Sequence, residues 1–469
     1  MRNEEEQITS EVLKRRKEKQ HKRIIGPARS VVTPLLNLWL NLLLQWVTFA
    51  FAAYRLSRNF TGTGYLIVKF LFFAFISTPV PNSTIDSLLL PVSLGCSFDP
   101  RAAVTAMAAV LGVRGKTGVF LGVVVCWWSK EVPRLCYGCP FLAYWLVGAL
   151  EFSGRSFDGN ERSLLASGVS ALIFLGAKEP KLPWVVLVSA LLAFVPCQWP
   201  VARIVELLRN SRVGLNKAAV ARLANMVYAV YFGTAALCFG VFALRLPLVA
   251  EFYTTVINDW ETICWWLACL TVAFTIAQLF SLRLNLDGRR KLWHICSVAM
   301  FLPTSQNKVT SLALACAIAL FLKLELIRAA ALPPFGNTLH EKLKPFVDHR
   351  DTQGPLIVSH IYLLQGIAVP ILAAHGSPSG VICLGIGDTC ASQIGRRYGR
   401  TKIFGDKSLE GTIAFAISTT IAWKVYCGAD WPTASILGAL TSLMEAVSPV
   451  NDNLVLPMFM LIWQQNLGL

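Results

Sequence analysis

Charge is scarce in this sequence. Among its 469 residues, Asp, Glu, Lys and Arg together make up 15%, whereas 55% belong to the apolar set AVILMFWYC. Soluble domains carry about 25% charged residues, so these charges are too few to cover a globule of this size. A soluble, disordered or collagen-like protein is therefore excluded. Runs of alternating polarity, which a membrane β-barrel needs, are also absent from the sequence. The sequence predicts an all-α integral membrane protein.

Acidic residues are outnumbered by basic ones. The chain has 43 Lys and Arg against 27 Asp and Glu, a net charge of +16. In a membrane protein this excess favours cytosolic loops that face anionic lipid or an anionic substrate, and we expect no nucleic-acid partner. Residues 1–30 are polar and basic and contain no short apolar run with a cleavage site. We therefore expect a cytosolic N-terminus without a cleaved signal peptide.

Apolar runs recur along the whole chain. The first, at about residues 35–54, is long enough to cross a bilayer, whereas several later runs are shorter. Short runs are paired or re-entrant segments unless they belong to longer helices. We predict a polytopic helical bundle with roughly 12–16 transmembrane helices.

The composition changes near Arg283. After this point polar residues gather in four blocks, at 287–294, 336–360, 385–412 and 445–453. Polar residues that interrupt membrane helices are costly and tend to mark a functional site. We therefore predict three regions: a basic cytosolic segment at 1–30, a multi-span membrane scaffold at 31–282 and a catalytic membrane region at 283–469.

The block at residues 385–412 reads GIGDTCASQIGRRYGRTKIFGDKSLEGT. Five cations between Arg396 and Lys407 are interspersed with glycines, which suits a polyphosphate, because cations offset its charge and glycine N–H groups donate without obstruction. Asp388 and Glu410 flank the cations and could share Mg²⁺ with the phosphates. A loop that only fixes topology would explain the cations but not the carboxylates and glycines. Neither GxxxxGK[ST] nor GxGxxG is present, so this is not a Walker loop or a dinucleotide fingerprint.

Four segments, in order over about 170 residues, resemble the CTP-dependent polyprenol kinase family, and most closely its dolichol kinases. The signature is Gly387-Asp-Thr-x-Ala-Ser392 followed by Lys407-Ser-x-Glu-Gly-Thr412. The other matching segments are Arg290-Lys-Leu-Trp-His294, Arg350–Leu364 and Asp452-Asn-Leu-x-Leu-Pro457. One departure is Asp406-Lys407, where the family carries two adjacent basic residues, and Lys402 or Arg400 could replace the missing cation. Residues 1–282 resemble the family only as a hydrophobic multi-span region.

The resemblance implies transfer of the γ-phosphoryl group of CTP to the terminal hydroxyl of dolichol, a long-chain polyprenol. The product, dolichyl phosphate, would serve protein glycosylation, and the enzyme would lie in the endoplasmic reticulum membrane with its CTP site in a cytosolic loop, 385–412. Together with the chemistry above, it assigns catalytic roles to Asp388, Lys407, Glu410 and His294, and Mg²⁺ to Asp388, Glu410 and Asp452. The expected CTP-binding residues are Gly387, Thr389, Ser392, Gly395, Arg396, Arg397, Arg400, Lys402, Gly405, Lys407, Ser408, Gly411 and Thr412. The expected supporting residues are Arg290, Lys291, Glu325, Arg350, Asp351, His360, Glu445 and Asn451.

Two alternatives stay open from the sequence. The first is another CTP-using lipid enzyme, either a phosphatidate cytidylyltransferase or a kinase of phytol or diacylglycerol. The chain lacks the His-Gly-Gly element of the cytidylyltransferases, and the smaller lipid kinases are mostly the catalytic half alone. The second is a multi-span transporter, but the polar residues gather at one end of the sequence instead of at matched positions in two halves. Oligomeric state and chain-length preference are not readable from any motif.

Overall fold

A computed structural model describes most of the chain. The described residues are 32–59, 83–98, 100–113, 115–128, 137–152, 156–178, 181–209, 217–243, 247–279, 286–333, 335–343, 354–404 and 407–469. The predicted cytosolic segment 1–30 and the predicted site residues Arg350, Asp351 and Gly405 lie outside them. The chain divides into two compact units, Met1–Leu40 and Asn41–Leu469.

Helices dominate the described residues, which confirms the predicted all-α class. The helices before residue 283 are α1 (Val32–Asn59), α2 (Ser83–Phe98), α3 (Pro100–Val113), α4 (Lys116–Trp128), α5 (Cys139–Glu151), α6 (Gly159–Lys178), α7 (Leu182–Phe194), α8 (Gln198–Arg209), α9 (Lys217–Ala243), α10 (Leu248–Asn258) and α11 (Trp260–Leu279). Those that follow are α12 (Leu286–Phe301), α13 (Lys308–Ala329), α14 (Gly336–Leu343), α15 (Ser359–Ala373), a π-helix (Val381–Gly387), α16 (Asp388–Tyr398), α17 (Leu409–Cys427), α18 (Trp431–Val447) and α19 (Asp452–Leu467).

Several helices are long and apolar enough to cross a membrane. Within the described residues there are four such segments, Leu36–Arg55, Ala218–Val241, Trp260–Leu279 and Lys308–Ala329, and α7 with α8 forms a fifth if this pair, bent by 44°, is one broken span. The structure thus supports a multi-pass membrane protein. The predicted 12–16 spans exceed the four or five that helix length and composition support here, because runs such as Arg101–Val113 and Cys139–Glu151 form separate short helices.

The C-terminal helix α19 lies at the centre of the core. Its residues from Asn453 to Gln464 are buried on every face, as expected of a helix that is apolar all round. It packs against α2, α15, α18 and the π-helix. Trp463 Nε1 donates a 2.9 Å hydrogen bond to Thr48 Oγ1, which satisfies the indole N–H inside the core. Asp452 therefore lies at the N-terminal end of a helix that is fixed by burial on every face.

The segment 385–412, expected as a loop, is largely regular structure. The π-helix continues directly into α16, and a short antiparallel hairpin of β1 (Lys402–Phe404) and β2 (Lys407–Ser408) then leads into α17. The Ser408 side chain caps α17 by accepting a hydrogen bond from the Gly411 N–H. At the other end, Gly428 adopts a left-handed conformation with φ of 68° and terminates the helix. The charged block is therefore carried on a helix, a hairpin and a helix N-terminus.

Candidate functional site

A polar cleft opens between α16, the hairpin and the first turn of α17. It encloses about 840 Å³, including its solvent-open part. The residues that line it are Asp388, Ala391, Ser392, Gly395, Arg396, Gly399, Lys402, Lys407, Ser408, Gly411, Thr412 and Glu445. Nine of them were predicted for catalysis or CTP binding, and Glu445 was predicted as a supporting residue. The structure thus gathers most of the charged block around one cavity.

Two glycines of the π-helix allow neighbouring helices to fix the position of Asp388. A Cβ atom on Gly385 would lie 2.2 Å from Val298 Cγ2 of α12, and one on Gly387 would lie 2.8 Å from Phe415 Cζ of α17. Such separations exclude a side chain unless the helices move apart. Gly387 was predicted to give CTP access to its backbone, and the structure places it in this helix packing instead of in the cleft lining. Single-turn π segments are frequent at functional sites, and this one aims Asp388 into the cleft.

Asp388 is held by two residues of α12. Its Oδ2 atom forms an ion pair with Lys291 and lies 3.7 Å from His294 Nδ1. The same His294 nitrogen is 3.2 Å from the carbonyl oxygen of Leu384, an acceptor, so the ring carries a proton on Nδ1 when this hydrogen bond forms. Burial by itself would raise the pKa of the Asp388 carboxyl, but Lys291 and then His294 outweigh it and hold the pKa below its usual value. Asp388 is therefore a carboxylate at neutral pH.

Lys407 lines the same cleft and lies among carboxylates. Its ammonium group pairs with the buried Glu445 of α18 and is 3.7 Å from Asp452 Oδ2 at the start of α19. Burial alone would lower the pKa of Lys407, but Asp452 and Glu445 more than offset this and raise the pKa above its usual value. The lysine is therefore a cation at neutral pH, with 38% of its side chain exposed to the cleft.

The remaining cations of the block separate into two sets. Arg396 and Lys402 line the cleft with Lys407, whereas Arg397 and Arg400 are exposed side chains that do not line it. The lining thus holds three cations against two carboxylates. An excess of positive charge in a concave site attracts an anionic ligand. Sequence spacing alone did not distinguish Arg396 from Arg397, because the difference depends on which face of α16 is turned towards α17.

Glu410 stands outside the cleft. Its Oε1 atom accepts hydrogen bonds from the backbone N–H groups of Arg400, at 3.0 Å, and Thr401, at 3.1 Å. These bonds, together with one to its own backbone N–H as the largest contribution, hold the pKa of Glu410 below its usual value. The carboxylate that the sequence assigned to catalysis and metal binding therefore fastens the turn between α16 and the hairpin.

Glycines and hydroxyls bring α16 and α17 close together. A Cβ on Gly395 would lie 2.9 Å from Ser408 Oγ, and one on Gly411 would lie 3.0 Å from the Ala391 carbonyl oxygen.

The hydroxyl groups of this region form short-range hydrogen bonds. Thr412 Oγ1 donates to the Ser408 carbonyl oxygen at 3.2 Å. Ser392 Oγ donates to the Thr389 carbonyl oxygen at 3.1 Å, and Thr389 Oγ1 is a buried atom without a hydrogen-bond partner among the described residues. Except for Thr389, these glycines, Ala391 and the hydroxyl residues all line the cleft. The residues at which the two helices pack closely are therefore also residues that a ligand in the cleft could contact.

Several predicted supporting residues form a separate cluster. Glu325 of α13 makes two hydrogen bonds with Arg328 and accepts one from the backbone N–H of Ile357. Arg328 also donates to the Pro355 carbonyl oxygen. His360 stacks on Phe321 with ring centroids 6.3 Å apart. This cluster fastens the segment before α15 to α13 and contributes no side chain to the cleft lining.

Two further predicted residues lie at helix ends. Asn451 caps α19, its side chain accepting a hydrogen bond from the Asn453 N–H, and this cap fixes the turn that carries Asp452. Arg290 lies on α12 next to Lys291, and the structure describes its backbone position only.

Two residues lie closer to the centre of the site than the sequence indicated. Lys291 and Glu445 were expected as outer support, yet each contacts a central residue of the cleft, Asp388 and Lys407 respectively. Ala391 and Gly399 belong to the charged block but were assigned no site role, and both line the cleft. The available signal was charge balance: a buried Asp or Lys needs an opposite charge nearby, and the flanking polar blocks at 287–294 and 445–453 offered it.

Divalent metal binding can be tested against these residues. Within the described part of the chain, no group of three or more His, Cys, Asp or Glu side chains is arranged to hold a metal ion by itself. Magnesium, however, is often bound by one or two carboxylates plus substrate phosphates. Asp388 and Glu445 both line the cleft and supply such oxygens. The donor set therefore fits a magnesium ion that arrives with a polyphosphate.

Comparisons with known proteins point to one enzyme activity. No protein-family model matches the chain. No solved structure matches it. It is 37% identical over 256 residues to the dolichol kinase of Saccharomyces cerevisiae, covering 48% of this chain and 49% of that enzyme.

Other dolichol kinases are similar to a comparable extent. The enzyme of Schizosaccharomyces pombe is 37% identical over 237 residues, covering 44% of this chain and 47% of that protein. The human enzyme is 34% identical over 226 residues, covering 42% of each chain. The chain spans about half the length of the curated relatives it matches. A multi-pass helical protein with a charged cleft is thus similar to dolichol kinases of fungi and mammals.

Proposed function

We propose that the chain is a CTP-dependent dolichol kinase. The terminal hydroxyl oxygen of dolichol forms a bond to the γ-phosphorus of CTP, the bond from that phosphorus to the β,γ-bridging oxygen breaks, and CDP leaves. The observation that carries the proposal is the cleft, which the signature residues Asp388 and Lys407 line together with two further cations, Arg396 and Lys402. The similarity to dolichol kinases supports the same reaction.

The cations of the cleft bind the triphosphate in this proposal. Arg396, Lys402 and Lys407 converge on one cavity, and phosphoryl transfer depends mainly on positioning and charge neutralisation. The N–H groups at the start of α17 add the positive end of a 19-residue helix to the same cavity. Arg396 has the geometry for a bidentate contact to phosphate.

Asp388 orients the acceptor hydroxyl and takes its proton. Its carboxylate lines the cleft, with 14% of the side chain exposed, and its Oδ2 atom is held in position by Lys291. A loose phosphoryl-transfer transition state asks little of a base beyond placement, so a carboxylate of low pKa is sufficient. His294 acts behind Asp388 as a positioning residue, through its contacts with Asp388 and with the Leu384 carbonyl.

Magnesium would be held by Asp388 and Glu445 together with the phosphates. The ion supplies neutralisation of the charge that develops on the phosphate oxygens. Lys407 contacts Glu445 and lies near Asp452, which places a cation beside the phosphate-facing carboxylates. The membrane in this proposal is that of the endoplasmic reticulum, with the cleft on the cytosolic face, where CTP is available.

The experiment that tests the proposal compares donors, labels and acceptors. Membranes containing the full chain receive CTP labelled at either the α- or the γ-phosphate, or γ-labelled ATP, with dolichol, phytol or diacylglycerol as acceptor. A dolichol kinase transfers only the γ-label, from CTP, and prefers dolichol. Transfer of the α-label would indicate a cytidylyltransferase, and preference for phytol or diacylglycerol would indicate another lipid kinase. Either result would overturn the proposal.

A further inference from the structure

An apolar cavity lies apart from the charged cleft. Most of its lining residues come from α5, α6, α7, α13 and α15, and its free volume is about 90 Å³. That is below the usual range for pockets that enclose a whole ligand, about 300–1,000 Å³, and suits a short segment of a ligand. Among the described residues that line it, none is charged, and aliphatic side chains such as Leu165, Val188 and Leu322 predominate.

The cavity borders candidate membrane spans. Its walls include Ile318 and Leu322 from the candidate span Lys308–Ala329, and Leu187 and Leu191 from the first half of the bent pair. An apolar molecule dissolved in the membrane would therefore meet these helices without crossing water. When such a cavity is empty, its apolar lining atoms lose dispersion contacts. An apolar occupant restores these contacts and is therefore favoured over solvent.

One helix contacts both the cavity and segments next to the charged site. Ala368 and Val369 of α15 border the cavity. On a neighbouring part of the same helix, a Cβ at Gly366 would lie 2.5 Å from both Leu384 Cδ1 and the Asn453 carbonyl oxygen. Leu384 precedes Asp388 by one turn, and Asn453 follows Asp452. Helix α15 thus contacts the cavity and also the segments that lead into Asp388 and follow Asp452.

We propose that this cavity holds the isoprene units next to the hydroxyl of the acceptor lipid. The inference rests on the proposed kinase function for the identity of the occupant. A chain end anchored beside α15 leaves its hydroxyl within reach of Asp388. A phospholipid is disfavoured because its charged headgroup would find no cation in the lining. The rest of a long polyprenol extends into the bilayer.

The first test is photolabelling in phosphatidylcholine vesicles that contain the full chain. The probe is a polyprenol with a diazirine in the isoprene unit nearest its hydroxyl. Label is expected on cavity residues of α6, α7, α13 and α15, and unlabelled dolichol should compete for it. Label on outward-facing residues such as Leu237 or Leu279, or competition by excess phosphatidylcholine as strong as that by dolichol, would overturn the inference.

The second test fills the cavity. Ala166→Leu combined with Val188→Phe adds bulk at two lining positions, whereas the control Cys316→Leu adds bulk to an exposed position on α13. The double variant should lose labelling and raise the KM for dolichol about tenfold, the equivalent of two buried methylene groups, with the KM for CTP unchanged. An unchanged KM for dolichol would contradict the inference, and labelling of the wild type decides the matter if the double variant does not fold.

The two proposals fail in different ways. If the wild-type chain binds the probe in the cavity but transfers no phosphate, the cavity assignment stands and the kinase function falls. If it transfers phosphate to dolichol while the label lies outside the cavity, the kinase function stands and the cavity assignment falls.

Discussion

Neighbouring side chains in the charged block have different surroundings. Arg396 and Arg397 are adjacent in the sequence, yet only Arg396 lines the cleft. The sequence identified the block through its density of cations and glycines, and the structure gathers much of that block around one cleft. It could not divide the cations into lining and outward sets, because that division depends on how α16 packs against α17.

The first prediction concerns this arginine pair. Arg396→Ala should raise the KM for CTP by about 10–100-fold, since a hydrogen bond to a charged group contributes about 1.5–3 kcal/mol. Arg397→Ala should change it much less. The measurement is initial-rate kinetics at varied CTP with saturating dolichol. Equal effects of the two substitutions would mean that the site extends over the outward face of α16.

The second prediction concerns the charge of Lys407. Because the pKa of Lys407 is raised, its ammonium group keeps its charge at pH values below the ordinary lysine pKa of about 10.4. The charge is lost only when the pH rises above that value. Arginine stays charged throughout. The ratio of CTP affinities of the wild type and Lys407→Arg should therefore be constant from about pH 7.5 to 9.5. If the CTP affinity of the wild type fell relative to that of Lys407→Arg within this pH range, Lys407 would be losing its proton there.

The third prediction separates the carboxylates. Glu410 accepts backbone hydrogen bonds outside the cleft, whereas Asp388 and Glu445 line it. Glu445→Gln should raise the Mg²⁺ concentration needed for half-maximal activity, and Glu410→Gln should leave it unchanged while weakening CTP binding through a looser turn. The measurement is a Mg²⁺ titration of activity at fixed CTP. A shift caused by Glu410→Gln alone would restore the metal role that the sequence suggested.

At the scale of elements, the packing of the π-helix decides where Asp388 points. The sequence predicted glycines that give a ligand access to the backbone, but Gly385 and Gly387 instead allow α12 and α17 to approach closely. It also treated residues 385–412 as a loop, because glycine and charge are typical of loops, whereas tertiary packing makes a helix and a hairpin of them. Contacts between distant segments, such as Lys291 with Asp388, are not visible in local composition.

The fourth prediction tests that packing. Gly385→Ala should lower the melting temperature and the activity, because overpacking costs about 1–3 kcal/mol and the new methyl would meet Val298. Val298→Ala in the same chain should restore part of both. Gly240→Ala is the matched control, since a Cβ at that helical position meets nothing within 4 Å. Thermal unfolding in detergent measures the effect, and equal melting temperatures for the two glycine variants would refute the packing account.

At the scale of the whole molecule, the apolar composition correctly predicted a helical membrane protein. Within the described residues, helix length and composition support four or five of the predicted 12–16 spans, because apolar runs such as 101–113 and 139–151 form short helices there. Composition reports how apolar a segment is, but not whether lipid or protein surrounds it. The assignment of residues 31–282 as a scaffold and of 283–469 as the catalytic region remains a prediction. Both regions contribute walls to the apolar cavity. In our proposal, residues 31–282 therefore also take part in lipid binding.

The most direct test of the central claim is transfer of γ-labelled phosphate from CTP to dolichol by three variants of the full chain. Asp388→Ala and Lys407→Ala each remove a signature residue that lines the cleft, and Arg222→Ala removes an exposed cation on α9. The account predicts that the first two lose at least about 100-fold of the wild-type rate, the scale of an essential electrostatic group, and that the third retains it. Transfer that survives both cleft substitutions would contradict the account and place the site elsewhere.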